Sequence, residues 1–426
     1  MRQPIATCLV AASMFSLAYS PSAGSEIRQF HISKSDQMLR LYDNGLLMEE
    51  FKISTGKAGY ETPSGIFSII QKREYHESNI YSNAPMPFMQ RITWSGIALH
   101  EGTVPKAPAS HGCIRIPKIW AKHIYNLAST STSVIITEKP IEPQIISHDN
   151  LPGGRLEPDA PAIASLEPGH SEQFAPSAQP NLDTITTNSI SKAEHEKSQA
   201  QPAAKPLKLL ITWRDERDKI RWGQMQLNSL GFDAGKADGL MGNQTAQALA
   251  AFKRWKDIHS RGGLLSPDIQ TALSQSGFGD KLTNGILRVR QNFKELTEYG
   301  IDITEPEREL GTHFLQAITE PTNRAPSLWT SVSLPNHLGS TTRKRLGLDL
   351  AGSTPAAAGS AEQLRKSTVA QIPLDTTLNR VKLSKEARDF LEANFTKQMS
   401  LSITDYSHDV ETGQGTDFIT ITKDTP

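Results

Sequence analysis

Residues 141–206 divide this chain. The stretch is crowded with Pro, Ser, Ala, Glu and Gln and holds almost no aromatic residue. A segment of that kind buries too little apolar surface to offset the entropy of ordering it, so it reads as a disordered linker. With 426 residues, the chain is in any case too long for a single core, and separate folded regions are expected on either side. Only 37% of the residues are hydrophobic, on the polar side for a packed globule. Basic and acidic residues balance at 45 each, which removes any argument for nucleic acid as a partner or for charge-driven membrane attachment.

Residues 1–23 carry Arg2, an apolar run over 5–18 and then small residues, the pattern of a secretory signal cleaved after Ser20 or Ala23. The run is short for a membrane span, so the mature protein is expected to have none; a retained N-terminal anchor is the alternative. Cys8 lies inside the run and leaves with the leader. That strands Cys113 as an odd cysteine in an exported chain: a free reactive thiol, an intermolecular link or a buried inert thiol.

The surroundings of Cys113 favour the first. Residues 100–117 read HEGTVPKAPASHGCIRIP, with His100 upstream, His111 two positions before the thiol, and Gly102, Gly112 and three prolines turning the backbone. A thiol attacks as the thiolate, and an adjacent imidazole or aligned backbone N–H groups are the usual means of producing it. The run Ser110-His111-Gly112-Cys113-Ile114-Arg115, with Leu99-His100 before it and Thr55-Gly56 and Glu61-Thr62-Pro63-Ser64-Gly65-Ile66-Phe67 upstream, resembles the signature of the L,D-transpeptidase catalytic domain over residues 26–140. Two departures stand out: a shortened loop between His100 and Ser110, and Glu101 where many members have Gly or Ser.

The resemblance implies attack by Cys113 on the peptide bond after the third residue of a peptidoglycan stem, loss of the fourth residue, and resolution of the thioester by an amine of another stem. His100 is the candidate proton acceptor. His111 either orients it or helps hold the oxyanion, and the N–H groups of Gly112 and Cys113 are the expected oxyanion donors. Ser110 is expected to bond within the loop, and Arg115 either to fork a substrate carboxylate or to form a structural salt bridge. Zinc spacing is absent, so neither metal nor cofactor is expected. Hydrolysis of the same acyl-enzyme (carboxypeptidase or endopeptidase) and a non-catalytic wall-binding scaffold are the rival readings, and the periplasm or cell wall is the expected location.

The expected fold is multidomain α+β. In 26–140, short strands are predicted over 27–32, 38–42, 46–53, 66–70, 92–100 and 134–136, with a helix from Pro117 burying Trp120, Ile124 and Leu127. Residues 74–90 resemble the family's flap over the substrate channel. Residues 207–278 are predicted to form three helices, punctuated by Gly231 and by Ser266-Pro267-Asp268, and LNSLGF…ADGLMGNQTAQALAAFKRW resembles a peptidoglycan-binding domain. Finally, 114–137 and 381–404 share one pattern without a gap, and 39–70 resembles 287–318, so 282–424 reads as a β-rich degenerate second copy of the catalytic fold with Arg380 in the place of Cys113. Its histidines, His313 and His408, are expected to be structural or solvated, and 352–360 to be a mobile loop.

Overall fold

The computed structural model of the chain describes residues 28–78, 83–154, 205–277, 281–322, 325–336, 338, 372–405 and 417–423. The expected signal, the expected loop at 352–360, His408 and residues 155–204 of the expected linker lie outside these.

The first module is built on a six-stranded sheet. β1 (Arg28–Ser33), β2 (Met38–Asp43) and β3 (Leu46–Lys52) form a meander, and the second turn places Asn44 and Gly45 at φ 49° and 81°, as the Asp-Asn-Gly sequence predicts. β4 (Ser64–Ser68) and β9 (Ser133–Thr137) lie on the other side of β1, with β9 parallel to β1 and antiparallel to β4. Helix α1 (Lys118–Leu127) closes one face over Phe30, Ile32, Val134 and Ile136, with Trp120 stacked on Phe51 at 4.9 Å. A second, four-stranded sheet runs β5 (Gln71–Arg73), β6 (Met89–Arg91), β7 (Ala98–Glu101), β8 (Ile114–Ile116). The strand expected over 92–100 is shorter than its apolar content implied. Thr93 Oγ1 accepts the Ile97 N–H at 3.0 Å, and Gly96 at φ 115° closes a turn, so β7 starts only at Ala98.

A third sheet has eight strands in the order β10 (Gln144–Ile146), β15 (Trp329–Leu334), β14 (Thr312–Ala317), β17 (Ser400–Ile403), β11 (Lys208–Trp213), β12 (Gly285–Gln291), β13 (Lys294–Ile303), β16 (Val381–Lys382). Helices α5 (Leu374–Arg380) and α6 (Lys385–Ala393) accompany it. Helices α2 (Glu216–Ser229), α3 (Asn243–Trp255) and α4 (Pro267–Ser276) form their own core of Trp222, Leu227, Phe252 and Leu273. Asp215 and Asp218 make a capping box at the start of α2, and Gly231 follows it at φ 85°.

Three expected boundaries move. Residues 208–213, expected within the helical module, are a central strand of the eight-stranded sheet, so the helices are an excursion from the β11–β12 connection. Residues 141–154, expected to be disordered, are ordered against the second module: β10 pairs with β15, Leu151 is fully buried, and the Gly153 N–H donates to the Glu392 carboxylate at 2.9 Å. Conversely β18 (Thr420–Thr422), expected in the C-terminal module, pairs antiparallel with β4 and is the edge strand of the first sheet.

Each module thus lends a strand to the other. Ile66 and Ile135 pack on Phe314, Val332 and Leu334 where the two sheets meet, and Gln29 Nε2 donates to Gln316 Oε1 and Thr330 Oγ1, both at 2.8 Å. Buried apolar side chains each contribute about 1.5–3 kcal/mol.

Candidate active site

Alternation along the short sheet sorts its residues onto two faces. Leu99 pairs with Ile114 and both belong to the core under α1. Their neighbours Ala98 and Cys113 therefore point the other way, where they cluster with Met86 and Met89. His100 and Arg115, one register step on, share that outer face. It forms the floor of a cleft of about 330 Å³ lined by His76, Arg91, His100, His111, Cys113 and Arg115 among others.

The loop that presents Cys113 is clamped to residues 54–57. Ser54 and Arg115 exchange backbone hydrogen bonds at 3.0 and 2.8 Å, and the Thr55 carbonyl accepts from the Ala109 and Ser110 N–H groups at 3.1 Å. Thr62 Oγ1 donates to the Gly112 carbonyl at 2.8 Å and accepts from Gly56 N–H at 2.9 Å. Gly112 sits at φ 109°, and a Cβ there would meet Ile97 Cδ1 at 2.7 Å, so glycine is required. Ser110 bonds within the loop: its hydroxyl donates to the Cys113 carbonyl at 2.5 Å and accepts the Gly112 N–H at 3.1 Å. That second bond corrects one expectation. The Gly112 N–H, expected to face an oxyanion, is turned into the loop and engaged by Ser110.

Cys113 is a free, half-buried thiol whose Sγ lies 3.7 Å from the Gly96 carbonyl. Burial pushes its pKa above the usual thiol range, and a hydrogen bond with the Ala98 backbone and the charges of Arg91 and Arg115 pull it back. Burial likewise holds His100 below the usual imidazole range, against its bond to Glu101. His100 Nδ1 is 2.7 Å from the Glu101 carbonyl, which only accepts, so Nδ1 carries the proton and Nε2 is left with a lone pair. A neutral thiol and a neutral imidazole with an open nitrogen, lining one cleft, are suited to proton transfer as attack occurs.

His111 lines the same cleft but is exposed, with its ring edge-on to Tyr60 at 4.5 Å. Arg115 makes no ion pair with a described residue, so the structural salt bridge left open for it is not found there. Four contributors were not anticipated as site residues: Arg91, His76, Tyr60 and Thr62. His76 lies in the stretch that reads as a structureless flap, and Arg91 falls between that stretch and the strand expected from Ile92, at the end of a three-residue strand with no visible period. Among the described residues, no group of three or more His, Cys, Asp or Glu side chains stands where it would hold a metal.

Comparison with known proteins bears directly on this site. A family model described as the L,D-transpeptidase catalytic domain matches residues 28–136. Residues 28–136 belong to the L,D-transpeptidase catalytic-domain family. A second model, described as a putative peptidoglycan binding domain, matches residues 216–259, which hold α2 and α3. Among solved structures, an L,D-transpeptidase from Mycobacterium smegmatis is 20% identical, over 26% of this chain and 59% of that one, with a TM-score of 0.25. An L,D-transpeptidase from Stackebrandtia nassauensis is 25% identical, over 30% of this chain and 62% of that one, also at 0.25. In both, the match spans less than two thirds of the neighbour. No curated protein matches the chain. The L,D-transpeptidase domain therefore contains the cleft with Cys113, His100, His111 and Arg115, and the peptidoglycan-binding family match falls on the separate helical core.

Proposed function

We propose that this chain is an exported, cysteine-dependent L,D-transpeptidase that joins peptidoglycan stem peptides through their third residues. The observation that carries the reading is the hydrogen bond that engages His100 Nδ1 with the Glu101 carbonyl, in the cleft that also holds the Cys113 thiol, which leaves Nε2 to act as base. As Sγ attacks the carbonyl of the third residue, His100 Nε2 takes the thiol proton. It then gives that proton to the departing amine of the fourth residue, a D-amino acid, leaving a thioester on Cys113. An amine from a second stem displaces the thiol and regenerates it. The Cys113 N–H is the backbone donor for the oxyanion, with His111 at the cleft rim as its partner. Arg115, beside His100, takes a substrate carboxylate. The helical module holds peptidoglycan near the cleft.

The eight-stranded sheet is, in this reading, a second copy of the catalytic fold that has lost its chemistry. The orders β4-β9-β1-β2-β3 and β14-β17-β11-β12-β13 match, each with one parallel pair, β1–β9 and β11–β17. Lys118 and Lys385 open equivalent helices and Ser133 and Ser400 equivalent strands at one constant offset. In the place of Cys113 stands Arg380, buried and donating to the carbonyls of Thr304, Glu305, Arg308 and Glu309 at 2.7–3.0 Å. That copy braces the catalytic sheet through β18.

Incubation with tetrapeptide muropeptides tests the reaction. Dimers joined through third residues support transfer, and tripeptide alone means hydrolysis. No change with wild type and Cys113→Ala alike leaves only the wall-binding scaffold.

A further inference from the structure

Two guanidinium groups flank the Cys113 thiol, and only one has a role so far. Arg91 pairs in register with Gln71 on one side and with Ala98 on the other, and Ala98 lies beside Cys113. The four side chains form one row on the cleft face, with Arg91 two strands from the nucleophile, about 10 Å between backbones. Arg91 is held in place without being neutralised. Its Nε donates to Gln71 Oε1 at 3.1 Å, one terminal nitrogen lies 3.5 Å from His76 Nε2, and its guanidinium sits 6.0 Å from the Trp94 ring centre. It forms no ion pair with a described residue, and the cleft lining continues from it under residues 84–86.

We propose that Arg91 is a specificity residue that binds a carboxylate on the acyl-donor part of the substrate, the part retained in the thioester. The direction follows from the site: His100 protonates the departing amine, so the departing residue lies on the side of His100 and Arg115. The retained part then extends along the row toward Arg91 and His76. A positively charged, hydrogen-bonding fork held at a fixed point is suited to a carboxylate, and charge-assisted bonds of this kind are the stronger ones. An amidated stem offers Arg91 no charge to match.

The inference rests on a stem peptide as substrate, and its test is chosen to stand apart from turnover. On the full-length Cys113→Ala background, binding of a tetrapeptide with a free donor-side carboxylate is compared with its carboxamide. Arg91→Gln is expected to weaken the acid about ten- to a hundredfold, to leave the amide nearly unchanged, and to lose the preference between them. Arg91→Lys is expected to restore part of it. Equal weakening of both peptides, or none, overturns the assignment. In the active protein, iodoacetamide labelling of Cys113 that reaches the same final extent in wild type and Arg91→Gln, though slower without the Arg91 charge, shows an intact site, so a wild type that binds the acid yet never turns it over counts against the transpeptidase reading and not against Arg91.

Discussion

The backbone carbonyl of Glu101 holds the Nδ1–H of His100, its own neighbour in sequence, at 2.7 Å. One hydrogen bond on β7 thereby sets the tautomer that leaves Nε2 as base. It also gives Glu101, the departure from the family's usual Gly or Ser, a role played by its main chain.

The pH dependence of acylation follows from the two shifts at the site. His100 is held below 6.5, so it stays neutral, and competent as a base, until the pH falls under that value. The acid limb of kcat/KM is expected below pH 6.5. Alkylation of Cys113 by iodoacetamide is expected to keep rising past the usual thiol range, because burial raises the thiol. An acid limb above pH 7 contradicts this assignment of the base.

Replacing His100 with Gln keeps a side chain of similar size and removes the base. The expected loss in kcat/KM is about 10²–10⁴-fold, measured as the rate of thioester formation, with the melting temperature little changed.

Gly112→Ala tests the loop geometry. The residue is at φ 109° and a methyl group meets Ile97. Strain of roughly 1–3 kcal/mol is expected, read as lower stability by denaturant unfolding together with slower acylation.

Gly65→Ala tests the strand exchange. Gly65 lies at φ 148°, and a Cβ would come within 2.1 Å of the Thr420 carbonyl on β18. The C-terminal strand is expected to leave the catalytic sheet, seen as loss of amide-exchange protection at 420–422 and on β4. Protection equal to wild type contradicts the bracing role.

His313 makes the second module acid-sensitive. It is buried between the Leu310 carbonyl, 3.0 Å from Nε2, and the Ser333 hydroxyl, 2.7 Å from Nδ1, and burial lowers its pKa from 6.5 to about 4. Between those values the unfolded chain binds a proton that the folded chain does not, so stability is complete above pH 6.5 and falls as pH drops toward 4. His313 contributes about 3 kcal/mol of that loss, measured as the difference in unfolding free energy against pH between wild type and His313→Gln, because buried His31, also lowered to about 4, keeps a slope of its own.

The layout of the candidate site was legible in the sequence because it is local. Ser110 to Arg115 carry the nucleophile, its loop bonds and a cation within six residues, and His100 stands on the strand that pairs with them. The capping and turn residues were legible for the same reason: Asn44-Gly45 and Gly231 act on their own backbone. What stayed hidden depends on partners far along the chain. β10 and β18 are three residues each and have no period of their own; they become strands only because β15 and β4 offer edges. Arg91 was missed because β6 is as short. Lys208–Trp213 was assigned to the helices that follow it because nothing within it tells that its partners are β12 and β17.

The covalent intermediate is the most direct measure of the mechanism. Intact protein is incubated with a tetrapeptide donor in the absence of an acceptor amine, quenched in acid and weighed. A mass increase equal to the donor without its fourth residue, mapped to Cys113 and absent from Cys113→Ala, is the expected result. An unmodified wild type that still releases the fourth residue, or an adduct that forms equally on Cys113→Ala, contradicts a thioester at this cysteine.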